Sequence, residues 1–324
     1  MTDQMSFSDA EFEGKRKKTR REIFLAEMAQ VIPWSQIEAV IEPVYPKPGK
    51  GRRPYPLQTM LRIHFMQQWY NMSDPAMEEA LYDSTSMRKF AGLSLTHGAI
   101  PDETTILNFR HLLERNGLTQ QILLAVNAYL GEKGLLLRHG TIVDATIIDA
   151  PSSTKNGAGE RDPDMHQTKK GNEWKFGLKA HIGVDAESGL VHTVLTTAAN
   201  VSDVTQAHAL LRDGDEVAWG DSGYRGVAKR EEMQGVEIKW HIAMEPGKRS
   251  WLDRKSQLGE MLDKIEKLKA SVRAKVEHPF RVIKQQFGFT KARYRGLPKN
   301  AAKLNTLFAL SNLWMVRQRL IAMG

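Results

Sequence analysis

The character of the sequence changes near residue 135, and this change limits the possible folds more than any other feature. Before it, apolar residues recur at helical spacing, for example over residues 57–69, which are predicted to form a largely buried helix. After it, residues 141–148 are rich in β-branched side chains and short enough for a strand. We therefore expect an all-α N-terminal domain over residues 1–134 and an α/β domain over residues 135–324.

The second domain is predicted to begin with three antiparallel strands, the second and third of which are joined by a turn at residues 185–189. Two further strands alternate with helices, which indicates a mixed five-stranded sheet with flanking helices. The predicted strands cover residues 141–148, 175–184, 190–197, 217–220 and 236–243. The predicted helices cover residues 203–211, 227–233, 268–286 and 301–323. We expect the polar segment 151–173 to be a loop and the charged segment 245–267 to be an insertion.

Positive charge is concentrated at the C-terminal end of the chain. The net charge of +8 and an isoelectric point near 9.5 suggest a polyanionic partner. Residues 268–324 contain 12 lysines and arginines but only one acidic residue, Glu277. Because this segment also carries the apolar pattern of helices, we expect a basic groove rather than a loose tail. A carboxylate in such a setting either neutralises its neighbours or binds a cation.

Composition also excludes several classes of protein. The chain has no cysteine, which excludes a disulfide scaffold and zinc sites built on thiolates. No apolar run approaches the roughly 18 residues of a membrane span, and the polar N-terminus does not resemble a secretory signal. The sequence contains no HExxH, GxSxG or phosphate-binding-loop motif. We therefore expect a cytoplasmic protein with no membrane partner.

Three carboxylates are candidates for metal-dependent chemistry on DNA. Asp144 lies inside an apolar strand, where a charge is costly unless it is paired or bound to metal. Asp221 ends a short strand and precedes a glycine-containing loop, and Glu277 lies on a late helix amid positive charge. Two-metal phosphodiester chemistry needs carboxylates from separate elements that converge. The structural alternatives are a turn-capping aspartate and a glutamate paired with Arg273 or Arg281.

Other acids and one histidine compete with these candidates. Asp149 is five residues from Asp144, so a regular strand would point it to the other face. Asp185 lies in the hairpin turn, and Asp203 is a predicted helix cap. His181 could face the site, although a satisfied or solvent-facing histidine is the simpler interpretation. We rank these residues below Asp144, Asp221 and Glu277.

Several segments together resemble bacterial DDE transposases of the insertion sequence 5 family, whose catalytic domain is ribonuclease H-like. The C-terminal segments are TIVDATIIDAP (141–151), KFGLKAHIGVDA (175–186), GDSGYRG (220–226) and RAKVEHPFRVIKQQFG (273–288). The N-terminal segments are GRRPYPLQTMLRIHFMQQWYN and PDETTILNFRHLLE. The resemblance covers nearly the whole chain. It implies a ribonuclease H-like fold for the second domain and a catalytic, metal-binding triad of Asp144, Asp221 and Glu277.

Related transposases carry a signature around the glutamate, in which a tyrosine, an arginine, the glutamate and a lysine follow at fixed spacing. Arg273, Glu277 and Lys284 match it, whereas Ala270 occupies the tyrosine position. The tyrosine is implicated in handling a base near the transposon end, so Ala270 leaves the route of second-strand cleavage open. Pro279 disfavours α geometry at the residue before it, so we expect a kink or a helix start close to Glu277.

The resemblance implies a transposase that binds terminal inverted repeats and catalyses strand cleavage and strand transfer with two Mg²⁺ ions, with Mn²⁺ as the expected substitute. Its partners would be double-stranded DNA, as transposon ends and as target, and a second copy of the chain in a homodimer on DNA. Arg273, Arg281 and Lys284 are candidate phosphate contacts, and Arg52 and Arg53 are candidates for recognising the repeats. A catalytically silent DNA-binding protein of transposase descent and a simple metal-dependent nuclease are the alternatives.

Overall fold

The computed structural model describes residues 17–96, 98–157 and 159–324. Contacts divide the chain into two compact units. The first contains the described residues up to Val126 together with Leu313–Gly324, and the second contains Asn127–Asn312. The predicted boundary at residue 134 placed residues 313–324 with the sheet, whereas these contacts group them with the N-terminal helices.

The N-terminal part of the described chain is helical, as the apolar spacing predicted. The helices that precede the sheet are α1 (Arg20–Val31), α2 (Trp34–Ile41), α3 (Leu57–Trp69), α4 (Asp74–Asp83), α5 (Thr85–Ala91), α6 (Glu103–Arg115) and α7 (Leu118–Glu132). Thr19 begins α1 with a reciprocal cap, because its Oγ1 accepts from Glu22 N at 3.2 Å and its own N–H donates to Glu22 Oε2 at 2.6 Å.

Helix α3 forms the centre of the first unit. Nearly all of its side chains from Thr59 to Trp69 are buried, so it packs on every face rather than along one stripe. Aromatic contacts tie it to its neighbours, with the ring centroids of Trp34 and Phe65 at 5.9 Å and those of Trp69 and Phe90 at 5.7 Å. Each such buried side chain contributes roughly 1.5–3 kcal/mol through removal of apolar surface from water.

The described part of the second unit contains one mixed sheet of six strands. The strands are β1 (Thr141–Asp149), β2 (His166–Lys170), β3 (Glu173–Asp185), β4 (Val191–Ala198), β5 (Val217–Gly220) and β6 (Lys239–Ile242). Strand β3 pairs antiparallel with β1, β2 and β4, whereas β5 lies parallel to both β1 and β6. This mixed sheet with flanking helices confirms the predicted ribonuclease H-like fold class, but the predicted number of five strands was one too few.

The additional strand, β2, lies in the segment that the sequence predicted to be a loop. Its sequence, HQTKK, contains no large apolar residue, and none of its side chains is buried. The usual alternation of apolar and polar residues is therefore absent. Strand β2 forms instead by pairing with the first five residues of β3, four of which extend beyond the end of β1.

The two faces of β1 contact different parts of the unit. Val143 belongs to a buried apolar cluster that also contains Ala207, Leu210, Tyr224 and Met233. The segment 203–210 in this cluster is a 3₁₀ helix rather than the predicted α-helix, and residues 227–233 form two 3₁₀ turns. On the opposite face, Thr146 accepts a hydrogen bond from the Nζ of Lys284, which belongs to the helical segment that follows the sheet in the chain. The sheet is therefore covered on both sides.

The segment predicted to be an insertion is largely helical. It contains α8 (Pro246–Ser250) and most of α9 (Gln257–Arg273). The inner side of α9 carries Asp263 and Glu266, both buried. Glu266 accepts from Met244 N at 2.8 Å and pairs with Lys269 at 2.7 Å. The apolar side chains of α9, such as Leu258, Met261 and Ile265, recur at helical spacing but are exposed, so the apolar pattern points away from the side that packs.

Beyond α9, the chain forms a 3₁₀ turn (Ala274–Val276), α10 (Glu277–Arg281), a π-helical turn (Val282–Gln286) and the long helix α11 (Leu297–Met323). The predicted single helix over residues 268–286 is therefore broken into several parts. Among the described residues, no helix is both long and apolar enough to cross a membrane.

Candidate active site

Two of the three candidate carboxylates lie on, or directly after, neighbouring parallel strands. Strands β1 and β5 pair with Ile142 opposite Trp219, and Asp221 directly follows the last residue of β5. If this register is continued by two residues, Asp144 and Asp221 lie side by side. In-register residues of parallel strands project to the same face, and neighbouring strands are about 4.8 Å apart. The sheet therefore brings these two acids together.

Each aspartate has one oxygen fixed by the backbone. Asp144 Oδ1 accepts from the N–H of Ala145 at 2.7 Å, and Asp221 Oδ1 accepts from the N–H of Gly223 at 2.8 Å. A Cβ on Gly223 would lie 2.9 Å from that same Oδ1, so a side chain there would disturb the turn. Asp221 does cap the following turn, as the structural alternative proposed. Within the described part of the chain, Oδ2 of each aspartate accepts no hydrogen bond and stays available.

Glu277 begins α10, at the point where the C-terminal helical segment is irregular. A 3₁₀ turn precedes it and a π-helical turn follows α10. Pro279 has no N–H to donate, which accounts for the break, and the expected irregularity beside Glu277 is confirmed. Glu277 is exposed. In the described residues it forms no ion pair within 4.0 Å with Arg273 or Arg281, so the alternative role of a helix glutamate paired with an arginine is not seen.

Electrostatics link the three carboxylates. Burial, together with the negative charges of Asp221 and Glu277, raises the pKa of Asp144 to about 7. The N–H of Ala145 and the guanidinium of Arg273 act in the opposite direction and lower that pKa. Asp144 is therefore a partly buried acid within reach of two like charges, an arrangement that a bound cation would relieve.

The donor chemistry of this set fits Mg²⁺ or Mn²⁺, because carboxylate oxygens are the ligands that these hard cations prefer. The positions of the three carboxylates match a shared metal site less closely than their chemistry does. Across residues 17–96, 98–157 and 159–324, no three His, Cys, Asp or Glu side chains are close enough to hold a common ion. The fold places the carboxylates on β1, after β5 and on α10, but it does not draw them into one cluster.

A cavity of about 420 Å³ lies beside Glu277. Its lining residues are Thr146, Glu277, His278, Phe280, Arg281, Lys284 and Gln285. The Nζ of Lys284 donates to Thr146 Oγ1 at 2.6 Å and to the carbonyl of Ile147 at 3.2 Å. Burial lowers the pKa of Lys284, Lys170 lowers it further, and Asp149 and Glu277 raise it. Arg281 and Lys284 thus flank Glu277, even though the π-helical turn interrupts the regular helical phase between them.

The remaining predicted cations are placed differently. Arg273 ends α9 and is half-buried, and its Nε has no hydrogen-bond partner in the structure. Arg52 and Arg53 belong to the first unit, where both line a cavity of about 240 Å³ with Tyr45, Tyr55 and Phe109. Arg52 donates to the hydroxyl of Tyr55 at 2.6 Å, and its guanidinium carbon lies 5.3 Å from that ring centroid.

The competing acids have other partners. Asp185 Oδ1 accepts from the N–H of Ser188 at 2.8 Å in the hairpin turn, as predicted. Asp203 is not a cap, because Ser202 holds that position and makes no side-chain cap bond. Asp203 pairs with Lys179 at 2.9 Å and lies 3.7 Å from His181 Nδ1.

His181 is fully buried on the face of the sheet opposite Asp144, since it is paired with Ala145 in the register of β1 and β3. Burial lowers its pKa to about 4. It therefore belongs to the core rather than to the candidate site.

Sequence reasoning missed two residues near the site. Thr146 lies two positions after Asp144, so the alternation of a strand places it on the same face, and this spacing could have identified it. Tyr224 is buried, and its hydroxyl has no hydrogen-bond partner in the described structure. Burial, followed by the charges of Asp144, Asp203 and Asp221, raises the pKa of Tyr224 well above its usual value.

Comparison with known proteins gives a consistent result for both halves of the chain. Residues 136–313 match the family model of the transposase DDE domain, and residues 12–112 match a transposase domain of the family DUF772. Among solved structures, the chain is similar to one in the crystal structure of the Mos1 strand transfer complex, with 11% identity over 77% of this chain and 82% of that chain. The TM-score is 0.19, too low to support a structural argument. Because the DDE model covers more than half of the chain, this protein belongs to the DDE transposases.

Proposed function

We propose that this transposase binds the terminal inverted repeats of an insertion sequence and then cuts and joins DNA strands at Asp144, Asp221 and Glu277. The observation that carries the proposal is the placement of Asp144 and Asp221 on one face of neighbouring strands, with Glu277 within electrostatic reach. Three carboxylates from three separate elements provide the donor set that two-metal phosphodiester chemistry requires.

In this proposal Asp144 would help to hold both divalent ions, and Asp221 and Glu277 would each help to hold one. Mg²⁺ is the expected ion, and Mn²⁺ is expected to substitute. When bound, the two ions supply activation of the attacking oxygen and stabilisation of the leaving oxygen. The backbone N–H groups of Ala145 and Gly223 keep one oxygen of each aspartate fixed, which leaves the other oxygen for a cation.

Cationic side chains around Glu277 would bind the phosphates of the DNA. Lys284 is fixed by its hydrogen bonds to Thr146 and Ile147, which limits the entropy that it would lose on binding. Arg281 is exposed on the same cavity, and Arg273 offers a buried Nε that still lacks an acceptor. Phosphate contacts of this kind weaken steeply as the salt concentration rises.

Recognition of the terminal repeats is assigned to the N-terminal domain over residues 1–134, including the exposed Arg52 and Arg53. The residues before 17 lie outside the described part of the chain. Two transposon ends must meet, so the active form would be at least a homodimer on DNA. The protein would act in the bacterial cytoplasm on nucleoid DNA.

The test uses purified protein, labelled DNA from the two flanks of its reading frame, a target plasmid, and Mg²⁺ or Mn²⁺. A transposase releases a 3′-hydroxyl at the end and joins it covalently to the plasmid. Cleavage without joining would indicate a plain nuclease. Specific binding without cleavage in either metal would instead favour a catalytically silent DNA-binding protein.

An Asp144→Asn variant is the control for contaminating nuclease, because it keeps the acceptor for Ala145 and loses the carboxylate. Products that persist in this variant would not come from the proposed site.

A further inference from the structure

The hairpin of β2 and β3 exposes a tryptophan that none of the assigned functions uses. Trp174 is 68% exposed on the first part of β3, three residues before Gly177, where the pairing of β3 with β1 begins. An indole usually covers its large apolar surface. A single exposed indole is nevertheless common on protein surfaces, so the residues around Trp174 decide whether it belongs to an interaction site.

The residues around Trp174 alternate aromatic rings with cations. Lys169 lies directly opposite Trp174 across the hairpin. Phe176 is two residues further along β3, on the same face as Trp174, and the guanidinium carbon of Arg161 lies 5.4 Å from its ring centroid. This face therefore presents two rings and two cations side by side.

The two rings and Arg161 border an open cavity of about 530 Å³. Trp174, Phe176 and Arg161 line it together with the exposed Lys291. Acidic groups are also present, because Asp149 lines the cavity and Glu173 pairs with Lys175 at 3.0 Å. In the described part of the chain, neither Lys169 nor Lys291 forms an ion pair, so both charges stay available for a polyanion.

The cavity lies on the same sheet as the catalytic candidates. Asp149 is five residues from Asp144 along β1 and is paired with Gly177, three residues after Trp174. Eight steps of about 3.3 Å place the indole roughly 26 Å from Asp144 along the strands. That distance is too great for contact with the reacting phosphate but lies within one turn of a DNA helix, about 34 Å. Lys284 lies between them, within electrostatic reach of both Glu277 and Lys170.

We propose that the β2–β3 hairpin binds an unpaired stretch of the DNA strand that leads away from the scissile phosphate, with a base stacked on Trp174 and phosphates held by Lys169, Arg161 and Lys291. The proposal rests on the proposed function for the identity of the DNA. An indole offers a flat face to any base, whereas paired bases in a duplex keep their faces covered by their neighbours. The alternation of rings and cations is the pattern that single strands require.

The experiment measures equilibrium binding of a labelled oligothymidylate and of a duplex by fluorescence anisotropy, in EDTA so that no cleavage occurs. Stacking of one base on an aromatic side chain corresponds to about a 5- to 150-fold change in affinity. We expect Trp174→Ala to weaken single-strand binding by a factor in this range and duplex binding by much less. Trp174→Phe keeps a ring and should restore most of the affinity.

Trp251→Ala is the matched control. Trp251 is 88% exposed in the same unit, and its basic neighbour Arg249 is already paired with Asp263 at 3.0 Å. It should bind single strands as the wild type does. A plot of log single-strand affinity against log salt concentration has a negative slope. Lys169→Gln and Lys291→Gln should each make this slope shallower by about 0.7, while Trp174→Ala leaves it unchanged.

The proposal is overturned if Trp174→Ala binds single strands as tightly as the wild type does, or if Trp251→Ala weakens binding equally. An equal loss for single strands and duplex would also overturn it, since stacking on an unpaired base would not be the cause. If sedimentation shows that Trp174→Ala changes self-association while leaving DNA binding intact, the hairpin is a protein interface instead. None of these outcomes depends on cleavage, so failure of the proposed chemistry is detected separately.

Discussion

Replacement of Asp144 by asparagine should stabilise the metal-free protein while it removes activity. Burial and the charges of Asp221 and Glu277 raise the pKa of Asp144 from 3.8 to about 7. The folded state therefore holds a proton on this carboxyl more tightly than the unfolded state does. Stability falls as the pH rises from the unfolded pKa to the folded pKa, and the full penalty is present above about pH 7. Asparagine carries no charge, and its side-chain oxygen still accepts from Ala145.

The size of the effect follows from this pKa. One pKa unit corresponds to about 1.36 kcal/mol. Between about pH 5 and pH 8, the wild type loses stability only until the folded pKa of about 7 is reached, an interval of about two units. The stability advantage of Asp144→Asn over the wild type should therefore grow by about 3 kcal/mol between these two pH values. Other titrating groups are common to both proteins and cancel in the difference.

The assay is urea unfolding of both proteins in EDTA at about pH 5 and pH 8, with the free energy of unfolding taken by linear extrapolation. Asp213→Asn is the control, because Asp213 is exposed in the same unit and undergoes the same change of charge. Its difference from the wild type should be small at both pH values. If the advantage of Asp144→Asn changes by less than about 1 kcal/mol between the two pH values, Asp144 is not the buried, repelled acid described above.

Three further predictions concern the second unit. Mg²⁺ or Mn²⁺ should raise the melting temperature of the wild type but not of Asp144→Asn, with about 2.7 kcal/mol of stabilisation at a hundredfold excess over Kd; equal shifts in both proteins would contradict the assigned ligand. Asn312→Ala should lower the free energy of unfolding in urea by about 2–4 kcal/mol. Asn312 is buried and hydrogen-bonds both the N–H and the carbonyl of Val191, at 2.9 Å and 2.7 Å. A decrease of less than about 1 kcal/mol would refute this role. Gly177→Ala should destabilise by about 1–3 kcal/mol or more, since its Cβ would lie 2.1 Å from the carbonyl oxygen of Ile148, whereas Gly247→Ala meets no atom within 4 Å and should be neutral.

The sequence predicted the features that depend on short-range rules. Asp144 could be placed on a strand because β-branched residues surround it, and Asp221 because a short apolar run ends there. Asp144 lies within β1 and Asp221 directly follows β5, and the parallel register of these two strands brings the two acids side by side. Pro279 likewise predicted the break beside Glu277, because a missing N–H acts locally. The catalytic roles of the three acids stay predictions.

Features that depend on tertiary pairing were missed. Strand β2 has no apolar alternation and exists only because the extended end of β3 pairs with it. Helix α9 buries Asp263 and Glu266 against Arg249 and the N–H of Met244, so its inner face carries acids in place of an apolar stripe. Trp174 lies on the edge of the segment that was predicted to be a loop, and its exposure could not be inferred without that hairpin.

The central claim is that Asp144, Asp221 and Glu277 together form the catalytic site. The most direct test measures the rate of metal-dependent cleavage of transposon-end DNA by Asp144→Asn, Asp221→Asn and Glu277→Gln, each first shown to bind the ends. The account predicts that every one of the three lowers the rate by at least about a hundredfold, as expected when a ligand that supports several kcal/mol of transition-state stabilisation is removed, while Asp213→Asn cleaves as the wild type does. Cleavage at the wild-type rate by any of the three would contradict the claim and remove that residue from the site.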